Sequence, residues 1–287
     1  MAVAEQKAPG MAIERRHKLP YAEFVRDFLK PHKPVVISGA LDGWEAMKWT
    51  PEYFQQKFPA KQFSIDGKSY KMAEFIDLVV NSSDANPAPY LRNAIIEQFL
   101  PELLRAIQPL PEYFSPNWLD GPFSQVMLSR LHRGSPELYI GGSGGKFPYL
   151  HWDALHTHAF ICQVYGTKEF TCFMPDQTPY LYVRADRANA VQIGDIENPD
   201  YEKFPLFAKA TPMRFCIEPG EFLFVPAGLW HTAKMLTPSI SVSVNRANAS
   251  NWSSMSKDIV ADARPPLRPV AATILAGLRA LYSISGS

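Results

Sequence analysis

Cysteine is scarce: the 287-residue chain holds three, Cys162, Cys172 and Cys216, and no two of them form a CxxC pair. That excludes a disulfide framework and a cysteine-based zinc knuckle as the organising principle, and it fits a reducing compartment. A surplus of either charge is also lacking. Lys+Arg is 29 and Asp+Glu is 28, for a net charge of +1. A polyanion-binding surface is therefore not implied by the balance, and nucleic acid is not the favoured partner, although a local basic patch can sit inside a neutral total. Long hydrophobic runs are missing. The stretch Val270 to Tyr282 is interrupted by Arg279 and falls short of the roughly 20 residues that span a bilayer. Residues Met1 to Met11 hold no apolar run of the signal-peptide kind, so the expected location is the cytoplasm, with no membrane partner. Glycine (16) and proline (26) follow no period, and no internal repeat or low-complexity block is present.

What is present is enough apolar sequence for a core, 46% hydrophobic against 20% charged. The first half reads as helices and short strands. A helix is expected over Tyr21 to Lys30, ended by Pro31, and a strand over Pro34 to Ser38. Thr50 then Pro51 is an N-cap followed by proline at the first helical position. A strand is expected over Gln62 to Ile65, and helices over Met72 to Val80 and Phe99 to Ile107. From about Val126 the pattern becomes many short β-type runs between Gly/Pro turns: 126–132, 137–141, 149–153, 159–165, 168–174, 213–217, 221–226, 231–236 and 239–245. That spacing predicts an all-β barrel or sandwich. Two helices, Asn251 to Ala263 and Val270 to Tyr282, close the chain. The expected division is a flexible tail over 1–17, one main domain over 18–250 and terminal helices over 251–287.

Three features carry chemistry. In His151-Trp-Asp153, an extended backbone would set the imidazole and the carboxylate on one face. His231 follows much later, after the turn Pro226-Ala-Gly228. Two histidines and one carboxylate on different strands form the facial set that leaves open positions on a non-haem Fe(II). Lys168 begins a strand whose alternate positions Phe170, Cys172 and Met174 are apolar. Either it turns inward, where it needs an anion, or it ends the strand and reaches solvent. The strand Ser239 to Asn245 alternates Ile240, Val242 and Val244 with Ser239, Ser241, Ser243 and Asn245. Its polar face belongs in water or inside a wet barrel, and periodicity alone leaves both open.

Taken in order, these residues resemble a known family. His151-x-Asp153, Gln163-Val-Tyr-Gly166-Thr-Lys168, Pro175-Asp-Gln177, Asn198-Pro-Asp-Tyr-Glu-Lys-Phe-Pro205, Pro219-Gly220-Glu-x-Leu-Phe-Val-Pro226 and Trp230-His231 are similar to the JmjC/cupin-like Fe(II)/2-oxoglutarate-dependent oxygenases. In style they lie nearest the factor-inhibiting asparaginyl hydroxylase branch. The resemblance implies a mainly β fold with flanking α: a double-stranded β-helix (jelly-roll, cupin) barrel with helices at both ends. It implies that His151, Asp153 and His231 hold Fe(II), and that Lys168 pairs with the distal carboxylate of 2-oxoglutarate. It places Tyr90, Asn245 and, more weakly, Thr157 around that cosubstrate. The chain departs from the family at Pro148, where many members carry Thr or Ser. The interval from His151 to Lys168 is closer to lysyl-hydroxylase-like members, and His156 and His158 within it are either cosubstrate contacts or surface residues.

The activity implied is a hydroxylase that couples oxidative decarboxylation of 2-oxoglutarate to hydroxylation of a C–H bond. O₂ is the oxidant, and the substrate is a protein or peptide side chain or a small molecule. A non-oxygenase cupin isomerase or lyase, and a non-catalytic JmjC-like binding module, are the competing readings. The apolar terminal helix is either a homodimer element or a cover for its own barrel.

Overall fold

Alternating runs in the second half of the chain build two sheets with a cavity between them. The computed structural model describes residues 11–120 and 134–284. The larger sheet has seven strands. In spatial order they are β1 (Glu14–His17), β2 (Val35–Ser38), β10 (Glu221–Val225), β7 (His158–Tyr165), β12 (Ser239–Arg246), β6 (Glu137–Gly141) and β5 (Leu91–Ile95). The smaller has three strands, ordered β11 (Trp230–Met235), β8 (Lys168–Phe173) and β9 (Met213–Ile217). A hairpin of β3 (Gln62–Ile65) and β4 (Lys68–Lys71) stands apart. The expected mainly β cupin-like architecture with flanking helices is what forms.

The alternation of β12 assigns the two faces of the large sheet. Ile240, Val242 and Val244 pack outward with Phe160, Cys162, Phe222 and Phe224 against a cover of N-terminal side chains that includes Phe24, Phe28, Phe54 and Phe75. Edge-to-face rings such as Phe24 on Phe224, with centroids 5.0 Å apart, pin that cover; such a pair adds about 0.5–1.5 kcal/mol beyond the area it buries. The serine face therefore points inward, into the barrel. Strand β10 is apolar on both faces because both are covered. Phe222 and Phe224 face the N-terminal layer, while Leu223 and Val225 join Phe170, Cys172 and Met213 between the sheets.

The N-terminal helix signals hold at Thr50, whose hydroxyl accepts from the Tyr53 N–H at 3.2 Å and caps the helix Pro51–Lys57. Elsewhere the chain departs from expectation. The 1–17 tail is ordered over part of its length: Glu14–His17 pairs in parallel with β2. Its sequence, Glu-Arg-Arg-His, carries no apolar alternation, so only the partner strand reveals it. The Phe99–Ile107 helix is split by Pro101 into an α turn, Ile96–Phe99, and a 3₁₀ run, Pro101–Ile107. Residues 149–153 are a loop, touched only by isolated bridges from His151 to Ala190 and His231. The expected strand 126–132 lies outside the described residues. The terminal helices are Trp252–Asp262 and Arg268–Ile284. Leu275 and Leu278 of the second pack with Trp118, Leu155, Ala247 and Trp252 of the same chain.

Candidate metal centre and the cavity beside it

His151 reaches β11 through its backbone. The His151 N–H donates to the His231 carbonyl at 3.0 Å, and the His231 N–H donates to the His151 carbonyl at 2.7 Å. This reciprocal pair brings the two imidazoles together, with ring centroids 4.5 Å apart. Asp153 follows at the entrance to the turn Ala154–His156, where Leu155 and His156 adopt φ of 61° and 47°. The loop thus achieves the convergence that a regular strand was expected to give. One donor atom from each of His151, Asp153 and His231 lies within 4.8 Å of the others. Each histidine Nε2 is 3.9 Å from an Asp153 carboxylate oxygen.

The histidine tautomers follow from the other ring nitrogens. His151 Nδ1 lies 3.3 Å from the Tyr149 carbonyl and His231 Nδ1 lies 3.0 Å from the Leu229 carbonyl. A carbonyl only accepts, so each Nδ1 carries a proton and each Nε2 is the ring nitrogen that faces Asp153. Burial, and then the neighbouring His231, hold the His151 imidazole well below the usual histidine range, so it stays neutral. Two imidazoles and one carboxylate on one side of a small space are a donor set that fits a divalent first-row metal with open positions. Phe147 stacks on His151 at 4.3 Å and 13°, fixing that ring from the other side.

The three donors open onto a cavity of about 240 Å³ between the sheets. Lys168 projects into its depth. Its Nζ donates to Ser241 Oγ at 2.6 Å and lies 5.8 Å from the ring centres of both Tyr90 and Tyr139. No carboxylate among the described residues stands within ion-pair distance of it, and burial brings its pKa down to about 7. Tyr90 and Asn245 line the same cavity, and neither side chain makes a hydrogen bond among the described residues. Burial raises the Tyr90 hydroxyl well above the ordinary tyrosine value, so it is a donor at neutral pH. The inward reading of Lys168 and the wet-barrel reading of β12 are therefore the ones the structure adopts.

Thr157 is elsewhere. Its hydroxyl donates to the Ala154 carbonyl at 3.4 Å, and it does not line the cavity. His156 and His158 do not reach the cavity either. His156 Nδ1 lies 2.6 Å from Asp258 Oδ2, and its ring lies on Trp152 at 4.0 Å. His158 Nδ1 accepts from the Ala227 N–H at 3.0 Å, so its Nε2 donates to Ser250 Oγ at 2.8 Å. Burial and then His32 keep His158 neutral.

Several cavity residues were not singled out from the sequence. Tyr139 shares the inner face of β6 with Glu137, a period-2 placement that the expected 137–141 strand would have allowed. Arg187 and Asn189 come from a turn with no motif. Arg187 lies on the Tyr149 ring at 4.5 Å, donates to the Tyr149 hydroxyl at 2.8 Å and to Asn189 Oδ1 at 3.1 Å.

A family model described as a Cupin-like domain matches residues 20–247. Over 251 residues the chain is 28% identical to lysine-specific demethylase 8 of Danio rerio, covering 82% of this chain and 58% of that protein. Over 271 residues it is 26% identical to tRNA wybutosine-synthesizing protein 5 of Gallus gallus, covering 84% of this chain and 78% of that protein. Over 255 residues it is 28% identical to arginine-specific demethylase JMJ22 of Arabidopsis thaliana, covering 83% of this chain and 47% of that protein. The chain thus spans about half the length of the two demethylases.

Proposed function

This chain belongs to the Cupin-like domain family, whose JmjC members are Fe(II)- and 2-oxoglutarate-dependent oxygenases, and we propose that it hydroxylates a C–H bond of a protein or peptide side chain. The observation that carries this reading is the meeting, in one cavity, of the His151–Asp153–His231 donors with a buried lysine that has no carboxylate of its own among the described residues. A cupin isomerase or lyase would use the metal donors but has no need of Lys168. A module that only binds has no need of three converging donors.

Bound iron, with 2-oxoglutarate and O₂, supplies the oxidising power that inserts one oxygen into a C–H bond as succinate and CO₂ leave. The protein's own work is placement. His151, Asp153 and His231 would hold the metal on one side only. Lys168, Tyr90 and Asn245 would take the cosubstrate's polar groups, with Lys168 pairing with its distal carboxylate. Phe147, Tyr149 and Phe170 line the space with rings that limit water. Arg187, held over the Tyr149 ring and bonded to its hydroxyl, is placed at the cavity wall to orient an incoming substrate.

A protein substrate is supported by the names of the two demethylases. Two basic side chains outside the cavity are paired with carboxylates, Arg184 with Asp186 at 2.8 Å and Lys234 with Asp84 at 3.2 Å, which leaves them less available to a phosphate backbone. The relative named for tRNA makes RNA the second arm of the test. Succinate release is measured with added Fe(II), and lysate proteins and RNA are screened by mass spectrometry for a gain of one oxygen atom, wild type against His151→Ala. An oxygen gain confined to RNA would overturn the peptide assignment, and no succinate in any arm would overturn the oxygenase assignment.

We also propose a homodimer through the terminal helix. Val270, Ile274 and Leu281 of this helix, with Leu267 in the turn just before it, are exposed, on positions other than the Leu275 and Leu278 that pack inward. An Ile274→Glu/Leu281→Glu double variant is expected to keep its fold and halve the mass seen by light scattering. A wild-type monomer at the same concentration removes the dimer.

A further inference from the structure

Behind Lys168 lies a chain of hydrogen bonds that the cosubstrate reading does not use. Lys168 Nζ donates to Ser241 Oγ at 2.6 Å, and Ser241 Oγ donates to Gln163 Oε1 at 2.8 Å. Gln163 Nε2 in turn lies 2.8 Å from the Tyr165 carbonyl, 2.7 Å from the Gly166 carbonyl and 2.9 Å from Ser239 Oγ. Gln163 and Ser241 are fully buried. They stand opposite each other because a bulge between Ile240 and Ser241 resets the β7–β12 register.

The direction of this chain is fixed. Backbone carbonyls only accept, so the Gln163 amide must turn its NH₂ toward Tyr165 and Gly166 and its oxygen toward Ser241. Ser241 has a single proton, and that proton must serve the Gln163 oxygen. Its lone pairs are left for Lys168, which can bond to Ser241 only as a donor. Gln163 also grips the turn from which β8 starts. Gly166 has φ of +71°, and a Cβ there would lie 1.9 Å from the Pro238 carbonyl oxygen, so the turn requires glycine at this position. Lys168 is two residues beyond it. Gln163 thus fixes both the backbone origin of Lys168 and the anchor of its amine.

We propose that Gln163 is a positioning residue for the cosubstrate end of the cavity: acting through Ser241, it fixes Lys168 as a donor with its remaining N–H groups aimed at the bound carboxylate. This rests on the 2-oxoglutarate reading. A glutamine that merely held the turn would contribute to stability but not to carboxylate affinity through Ser241.

The test is calorimetric binding of 2-oxoglutarate to the full chain loaded with redox-inactive Zn(II), with zinc affinity measured alongside. Ser241→Ala is expected to weaken 2-oxoglutarate binding about tenfold, the value of one charge-assisted hydrogen bond, and to leave zinc affinity unchanged. Ser241→Thr, which keeps the hydroxyl, restores it. Gln163→Met gives a similar loss alone and none further in the Ser241→Ala background, the non-additivity expected of two residues in one chain of bonds. Gln163→Glu, whose buried carboxyl still accepts from Ser241, retains most of the affinity and serves as the second variant if Gln163→Met does not fold. Unchanged binding by Ser241→Ala, or losses that multiply in the double variant, overturns the proposal. Wild-type protein that fails to bind 2-oxoglutarate at all removes the cosubstrate reading itself, whereas tight wild-type binding with unaffected variants removes only the role of Gln163.

Discussion

His231→Ala is expected to lower succinate release from 2-oxoglutarate at least about a thousandfold, equivalent to roughly 4 kcal/mol of lost transition-state stabilisation. The side chain contributes one of three donors, and its loss leaves His151 and Asp153 as an incomplete set. The fold should survive, because the bonds that join the 151 loop to β11 are made by backbone atoms and do not depend on the imidazole. Apo-protein melting within a few degrees of wild type, together with loss of Fe(II) affinity by calorimetry, is the expected pattern. Asp153→Asn is the companion variant. It keeps the shape but removes the negative charge that an imidazole cannot supply, and it should lose metal to a similar degree. Chelation of wild-type protein should abolish succinate release, and added Fe(II) should restore it. Full turnover by His231→Ala would remove the assignment of the metal donors.

Why the convergence of His151, Asp153 and His231 was legible while their local backbone was not is a matter of what each signal encodes. His151-x-Asp153 invited a strand, since extended residues two apart share a face. The structure replaces the strand with a loop that is pinned by a backbone exchange with His231 and turned by two residues at positive φ. Donor identity is written in residue type, but the geometry is completed by a contact far away in the chain. β12 shows the reverse case. Its period-2 pattern was unambiguous, yet only the N-terminal cover over Ile240, Val242 and Val244 determines that the serine face is the inner one. β1 is a further case in which the partner, not the segment, decides. A charged edge segment pairs because β2 offers a free edge, and nothing in Glu14–His17 announces it.

The cosubstrate end was legible in part. The apolar neighbours of Lys168 left it between the barrel interior and solvent, and only the family resemblance pointed inward; in the structure it lines one cavity with Tyr90 and Asn245. Thr157 does not, because the turn Ala154–His156 directs its hydroxyl back to the Ala154 carbonyl. His156 and His158 are engaged by Asp258 and Ser250, contacts with the segment that leads into and forms the penultimate helix. Hydrogen bonds across that many residues leave no local trace. Gln163 and Ser241 stood in full view in the sequence, but a polar residue in a strand has no period that separates an inward relay from an outward wet face.

Lys168→Met is expected to weaken 2-oxoglutarate binding at least about a hundredfold, the loss of a buried cation and its hydrogen bonds to a carboxylate, with metal affinity unchanged. The pH dependence gives this prediction its sharper form. Burial sets the Lys168 pKa at about 7 in the folded apo protein, below the ordinary 10.5 of the unfolded chain. Below pH 7 the amine is charged in both states, and the folded state bears the full cost of burying it. As pH rises from 7 toward 10.5, the folded protein releases its proton while the unfolded chain still holds one, so this group makes the apo protein more stable. Lys168→Met lacks that rise and, at pH 6, should exceed the wild type by about 1–4 kcal/mol. Binding moves the other way. Only the ammonium pairs with the carboxylate, so wild-type affinity for 2-oxoglutarate should fall above pH 7, approaching about tenfold per unit. Thermal melts and calorimetry from pH 6 to 9 read both trends. Opposite slopes for apo stability and 2-oxoglutarate affinity, both abolished by Lys168→Met, are expected of a buried lysine awaiting an anion; parallel slopes would assign the pH dependence to other groups.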